Sequence, residues 1–229
     1  MDGAPAPALR RLTAASLALV LVVLVASVAI RLSQQELGGL LPLVRGVHRV
    51  SASAAALSIL AAGWFAWRGG RRSLAAAAVL LMIGLSVLGA ATGTTPPPAA
   101  QAGNLLGGLA LAGLLAWLLK AREDVAGKNA VWIGLVCVQV ALGAWLSIFA
   151  GELWSLPLIA HATLGLALAG GIIWLSSFRS VLFTVLAIAV PVTGIAAALL
   201  GQPFAASLAH AAAGAFLVAA VAWSHGRFA

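Results

Sequence analysis

The chain has 229 residues, of which 63% are hydrophobic and only 8% charged, with a mean hydropathy of +1.11 and a net charge of +8. A water-soluble domain of this length needs far more polar surface, so the composition excludes one and implies a membrane protein with the lipid bilayer as its first partner. The positive balance would suggest nucleic acid in a soluble protein; here the basic residues sit in short loops between apolar runs, so no nucleic-acid partner is expected.

A membrane-crossing helix needs about 20 apolar residues. The segment 1–11 is short and basic, like the start of a signal peptide, but no small-residue cleavage site leads into a soluble domain. The first apolar run, residues 12–30, therefore reads as a retained span. Further spans are predicted over 44–67, 74–91, 102–119, 131–150, 156–175, 181–200 and 204–223. Short loops make neighbouring spans antiparallel. One set of loops carries Arg10, Arg11, Arg68, Arg71, Arg72, Lys120, Arg122, Lys128, Arg179 and Arg227; the other carries only Arg31, Arg45 and Arg49. The positive-inside rule puts the richer set in the cytoplasm, with both termini. The expected fold is an all-α membrane protein with eight transmembrane helices, in a multi-pass arrangement in the cell (inner) membrane. Trp67, Trp117, Trp154 and Trp223 lie near span ends, as in an interfacial aromatic belt.

An internal duplication is visible. His48 near the start of span 2 and His161 near the start of span 6 stand 113 residues apart; Asn104 in span 4 and His210 in span 8 stand 106 apart. A Gly-rich helix end runs into a Pro-containing turn in both copies, at Gly89 to Pro98 and at Gly194 to Pro203. The chain thus divides into two pseudo-symmetric four-helix bundles, an N-terminal half over 1–122 and a C-terminal half over 123–229.

An imidazole inside a span is a functional candidate by default, whereas a solitary one reads as a satisfied polar residue; repetition at matched positions favours function. Spans 6 and 8 run in the same direction, so His161 and His210 lie at one depth and can face each other. Two imidazoles without a carboxylate or thiolate partner suit an axially ligated haem iron, while zinc normally takes more protein ligands. Gly165 follows His161 by four residues, Gly214 follows His210, Gly108 follows Asn104 and Ala52 follows His48. A small residue one turn on leaves room for a flat macrocycle, although small residues also line ordinary membrane helix contacts. Arg31, Arg45 and Arg49 run against the charge trend and suit either haem propionates or lipid headgroups. His225 reads as a solvated tail residue. The lone Cys137 reads as apolar filler, with no disulfide within the chain.

Over nearly its whole length the pattern resembles the haem A synthase family. The motifs are Ile30-Arg31-Leu32-Ser33 with Glu36-Leu37-Gly38, Val47-His48-Arg49, Leu88-Gly89-Ala90 with Thr92, Gln139-Val140-Ala141-Leu142-Gly143-Ala144, Ala160-His161 and Ala209-His210. The resemblance implies two four-helix halves. It implies a haem b held by His161 and His210 in the C-terminal half, and haem o oxidised to haem A in the N-terminal half near His48. It implies haem o synthase and terminal oxidase assembly proteins as partners; a homo-oligomer is equally compatible with the sequence. Three positions depart from the family. Arg45 stands where a glutamate precedes the span-2 histidine, Asn104 replaces the span-4 histidine, and Gly38 and Gly39 occupy the place of a cysteine pair. Two functions follow as expectations: oxidation of the haem o methyl group to a formyl by a synthase-type oxidoreductase, or a non-catalytic haem b protein for electron transfer or haem handling.

Overall fold

A computed structural model describes residues 7–32, 37–93, 96–119, 130–149, 155–176 and 181–224. It contains eight α-helices and one short 3-10 turn, with no strand among the described residues. The helices are α1 Pro7–Leu32, α2 Leu41–Arg68, α3 Arg72–Thr92, α4 Pro98–Leu118, α5 Ala130–Ile148, α6 Leu156–Ser176, α7 Val181–Leu199 and α8 Phe204–Ser224. Every predicted span is a helix, most of them extended by a few residues at one or both ends. Seven are long and apolar enough to cross a membrane, and α5 is apolar over Gly134–Ile148. Glu36, Lys120, Arg122, Lys128, Glu152, Trp154, Arg179, His225 and Arg227, and the proposed boundary between the halves, lie outside the described residues.

Proline and glycine punctuate the apolar runs. Pro42 and Pro98 sit in the first turns of α2 and α4, where the missing N–H would have no partner anyway. Gly93 and Gly201 end α3 and α7 with φ of 62° and 75°, a left-handed conformation that closes a helix and is easiest for glycine.

α1 to α4 form a ring in which α1 packs on α2 and α4, and α3 on α2 and α4. Leu9, Ala62, Ala66, Ala75 and Leu118 cluster together. The start of α1, the end of α2, the start of α3 and the end of α4 therefore meet at one end of the ring. That end also carries Arg10, Arg11, Arg68, Arg71 and Arg72. Arg71 donates from Nη1 to the Leu118 carbonyl at 2.7 Å, taking up one of the acceptors that a helix end leaves unpaired. Arg68 and Arg72 lie over the Trp64 and Trp67 rings, 5.6 and 5.8 Å from their centres, a cation–π arrangement suited to an interface. The main core runs through this ring around Val20, Leu24, Ile59, Met82, Leu111 and Leu115. Many of the most buried side chains are alanines, among them Ala62, Ala66, Ala112, Ala116 and Ala187. Lipid is as apolar as the core, so helices in a membrane gain chiefly by close backbone approach. Where α1 meets α2, the Ser16 and Ser58 hydroxyls bond at 2.9 Å.

α5 to α8 are arranged differently. α6 packs on α5 and α7, and α7 on α8, but α5 makes at most a glancing contact with α8 among the described residues. α4 packs against both α5 and α8, and α1 also meets α8. Large apolar side chains such as Val50, Leu57, Leu80, Val87, Leu156, Trp174 and Val181 point outward, as a lipid-facing surface requires.

Gly63 is buried where α2 meets α3, and a Cβ there would stand 2.8 Å from Val79 Cγ2. Gly63→Leu is expected to prise these helices apart at a cost of about 1–3 kcal/mol. The check is thermal unfolding in detergent, where the midpoint should fall measurably below that of Gly84→Ala, a site with nothing within 4 Å.

Candidate functional site

The C-terminal half brings one pair of titratable rings together. His161 lies in the second turn of α6, after Pro157 in the first, and His210 lies in the second turn of α8. Their ring centres are 6.0 Å apart and their planes stand at 85°. Both rings are partly buried. The equal depth expected from the span directions is therefore realised as a contact.

Two glycines on the neighbouring helices make the space. A Cβ on Gly143 of α5 would lie 2.9 Å from His161 Cε1, and one on Gly194 of α7 would lie 2.8 Å from His210 Cε1. Each imidazole thus rests directly on a helix backbone. Pro191, inside α7, lacks the N–H that would bind the carbonyl one turn back, which loosens the helix beside this seat. The Val190 carbonyl is 2.9 Å from His210 Nδ1. A carbonyl only accepts, so Nδ1 carries the proton and donates, and in the neutral tautomer this selects Nε2 keeps its lone pair.

His161 is held otherwise. Its Nε2 is 3.5 Å from Nε2 of Gln139, the edge of hydrogen-bond range, the Gln139 backbone also bears on the ring, and Nδ1 has no partner within hydrogen-bond range among the described residues. The Gln139 amide fills the space over Gly165, where a Cβ would meet Gln139 Nε2 at 2.8 Å. The room expected one turn after His161 is thus occupied by a side chain from α5 rather than left for a macrocycle. One turn after His210, by contrast, a Cβ on Gly214 would meet nothing within 4 Å.

A metal–imidazole bond is about 2.0–2.1 Å long. Two such bonds in line, with about 1 Å from nitrogen to ring centre at each end, separate the ring centres by about 6 Å. The observed separation of 6.0 Å therefore leaves room for both imidazoles to hold one metal ion between them. No third histidine, cysteine or carboxylate joins the pair among the described residues. The donor set suits an ion whose remaining positions are filled by a cofactor.

The other predicted residues do not join this pair. His48 is half-buried on α2 and makes no hydrogen bond among the described residues; Arg45 is half-buried one turn earlier and Arg49 is exposed. Arg31 is partly buried in the last turn of α1, with no partner for Nε among the described residues. Asn104 is half-buried on α4 in a stretch where leucines fill the glycine notches. Leu88 would lie 3.1 Å from a Cβ on Gly103, Leu85 2.7 Å from one on Gly107 and Leu24 2.6 Å from one on Gly108. Ala52 is half-buried, and Cys137 is exposed.

Sequence reasoning named Gln139, Gly143 and Gly194 only as motif or turn marks and gave them no role. The signal for Gln139 was present: it is the only amide in α5, and a polar side chain inside an apolar span rarely lacks a task. The glycine seats had no such mark, because glycine abounds in the chain. Neither a protein-family model nor a curated protein matches the chain.

Proposed function

We propose that the chain is a multi-pass haem protein of the cell membrane, resembling the haem A synthase family, that holds haem b between His161 and His210. It crosses the bilayer eight times with both termini in the cytoplasm, and serves electron transfer or haem handling for a membrane complex. The single observation that carries the reading is the imidazole pair, 6.0 Å between ring centres, each ring seated on a glycine. The orientation is supported by the five arginines gathered at one end of the first ring, with Arg31, Arg45 and Arg49 at the other ends of α1 and α2.

His161 and His210 would hold the haem iron, and the Val190 carbonyl would orient His210. Haem b bound there supplies a one-electron couple. Gly143 and Gly194 let the ligands lie against α5 and α7, and the apolar helices keep bulk water from the site. Arg31, with its unpaired Nε, is available to an anionic group such as a propionate.

The leucine packing around Asn104 favours a second half-site without haem. Leu88 lies against Gly103, the residue before Asn104, whereas in the other half the His210 ring rests on Gly194. A second reading, oxidation of the haem o methyl group by a divergent synthase, is favoured by His48, whose ring nitrogens make no hydrogen bond among the described residues. On that reading haem o synthase and terminal oxidase assembly proteins are the partners, and haem o or haem A occupies the N-terminal half.

Purification in detergent, a reduced-minus-oxidised spectrum and analysis of extracted haem test both. The expected result is one haem b per chain with a low-spin spectrum that disappears in His161→Ala and in His210→Ala. Haem o or haem A alongside haem b would move the conclusion to the synthase. Absence of haem from a folded preparation would sink both.

A further inference from the structure

α2 carries an apolar face that the other described helices leave uncovered. Leu57, Leu60, Trp64 and Trp67 recur at spacings of three and four residues, so they share one side of the helix. All four are exposed, at 70%, 46%, 61% and 48%. A stripe of this kind faces lipid, and it runs straight into the arginines at the helix end.

The corner between α2 and α3 is fixed. Gly70 takes a φ of 82°. Its N–H donates to the Trp67 carbonyl at 3.2 Å, and the Arg71 N–H donates to the Ala66 carbonyl at 2.9 Å. These two bonds close a helix on a left-handed glycine. The Arg71 side chain works inward, on the Leu118 carbonyl. Arg68 and Arg72, on either side of it, are exposed and lie over the rings of Trp64 and Trp67. A cation over an indole is held by the negative face of the ring, while the N–H donors of the guanidinium stay open to an anion. No Asp or Glu stands among the described residues, and neither Arg68 nor Arg72 makes a hydrogen bond or ion pair there.

The two parts of this surface ask for one kind of ligand. A soluble anion would answer the arginines and leave the stripe bare; an uncharged lipid would do the reverse. We propose that the α2–α3 corner is a binding site for an anionic phospholipid. Its phosphate takes the N–H donors of Arg68 and Arg72, and its glycerol and acyl chains lie along Trp67, Trp64, Leu60 and Leu57. The planar fork of arginine matches phosphate oxygens in pairs. Tryptophan suits the headgroup level because its ring is apolar and its N–H polar. The proposal needs only helices that cross a membrane, and it stands whether or not haem is bound at His161 and His210.

Arg10 and Arg11 supply the control. They are exposed at the same end of the ring, but lie over no aromatic ring among the described residues. The delipidated protein is titrated in detergent with phosphatidylglycerol, and affinity is read from the rise in the unfolding midpoint. Wild type should show a saturable rise, absent with phosphatidylcholine of the same chains and with glycerol phosphate. Arg68→Gln with Arg72→Gln should weaken the lipid about tenfold or more, the scale for two juxtamembrane arginines. Arg10→Gln with Arg11→Gln removes the same charge and should leave the affinity unchanged. An equal response to phosphatidylcholine, or equal weakening in the Arg10 and Arg11 variant, would overturn the site in favour of general lipid or diffuse charge. Stabilisation by glycerol phosphate that Arg68→Gln with Arg72→Gln abolishes would overturn it in favour of a soluble anion. Should the double variant fail to fold, Arg68→Gln and Arg72→Gln singly decide the question, and wild-type affinity in both would sink the proposal.

Discussion

If the protein holds haem as proposed, Gly194→Val should strip it away while the helices remain folded. A Cβ at this position stands 2.8 Å from His210 Cε1 and 2.9 Å from Nδ1, well inside ordinary van der Waals contact. The ring cannot simply swing aside, because Nδ1 is bonded to the Val190 carbonyl of the same helix. Valine must therefore either break that bond or push α8 away from α7. Overpacking of this kind costs about 1–3 kcal/mol, or about tenfold to a hundredfold in affinity for whatever the ring ligates. Gly194→Ala places only the Cβ in the same spot and should show the same loss in weaker form. Extracted haem per chain is the measurement, with Gly84→Ala as the control that meets nothing within 4 Å. Wild-type haem content in a folded Gly194→Val protein would mean that His210 is not a ligand in the geometry described.

On the proposed reading, placing at residue 104 the histidine that the resembled family carries there should fail on its own. In Asn104→His the new ring would enter a region where Leu88, Leu85 and Leu24 already lie in the notches of Gly103, Gly107 and Gly108. A close-packed interior has no spare volume for a side chain that size, still less for a macrocycle. Haem should remain at one per chain in Asn104→His. Combining Asn104→His with Leu88→Gly, which opens the notch over Gly103, should raise the ratio. The double variant should also be less stable, since removing a packed leucine costs about 2–5 kcal/mol when fully buried and less at the half-buried Leu88. The check is haem quantified against protein, followed by thermal unfolding. Two haems per chain in Asn104→His alone would show that packing is no barrier, and the synthase reading through His48 would gain accordingly.

Much of this protein is legible in its amino-acid sequence. Membrane spans are read from the length of apolar runs alone, because a backbone in lipid must satisfy its own hydrogen bonds and only a helix of about 20 residues does so within one segment. All eight helices therefore appear where the hydropathy puts them, with Pro42, Pro98 and the Gly93 and Gly201 ends marking their limits. The pairing of His161 with His210 is legible too, because two helices running the same way through a layer of fixed thickness bring matched positions to one depth. What the sequence could not settle is which small residue receives which side chain. Gly165 reads as a clear face beside His161 and is filled by Gln139; Gly143 and Gly194, on other helices, are the seats of the rings. Those contacts depend on the rotation and spacing of neighbouring helices, which periodicity within one helix does not encode. Nor does the spacing of His48, Asn104, His161 and His210 show that α4 stands against both α5 and α8, or that leucines from α1 and α3 close the notches around Asn104. Helix identity is a local property of each segment, whereas the shape of the site is set by packing between segments far apart in the chain.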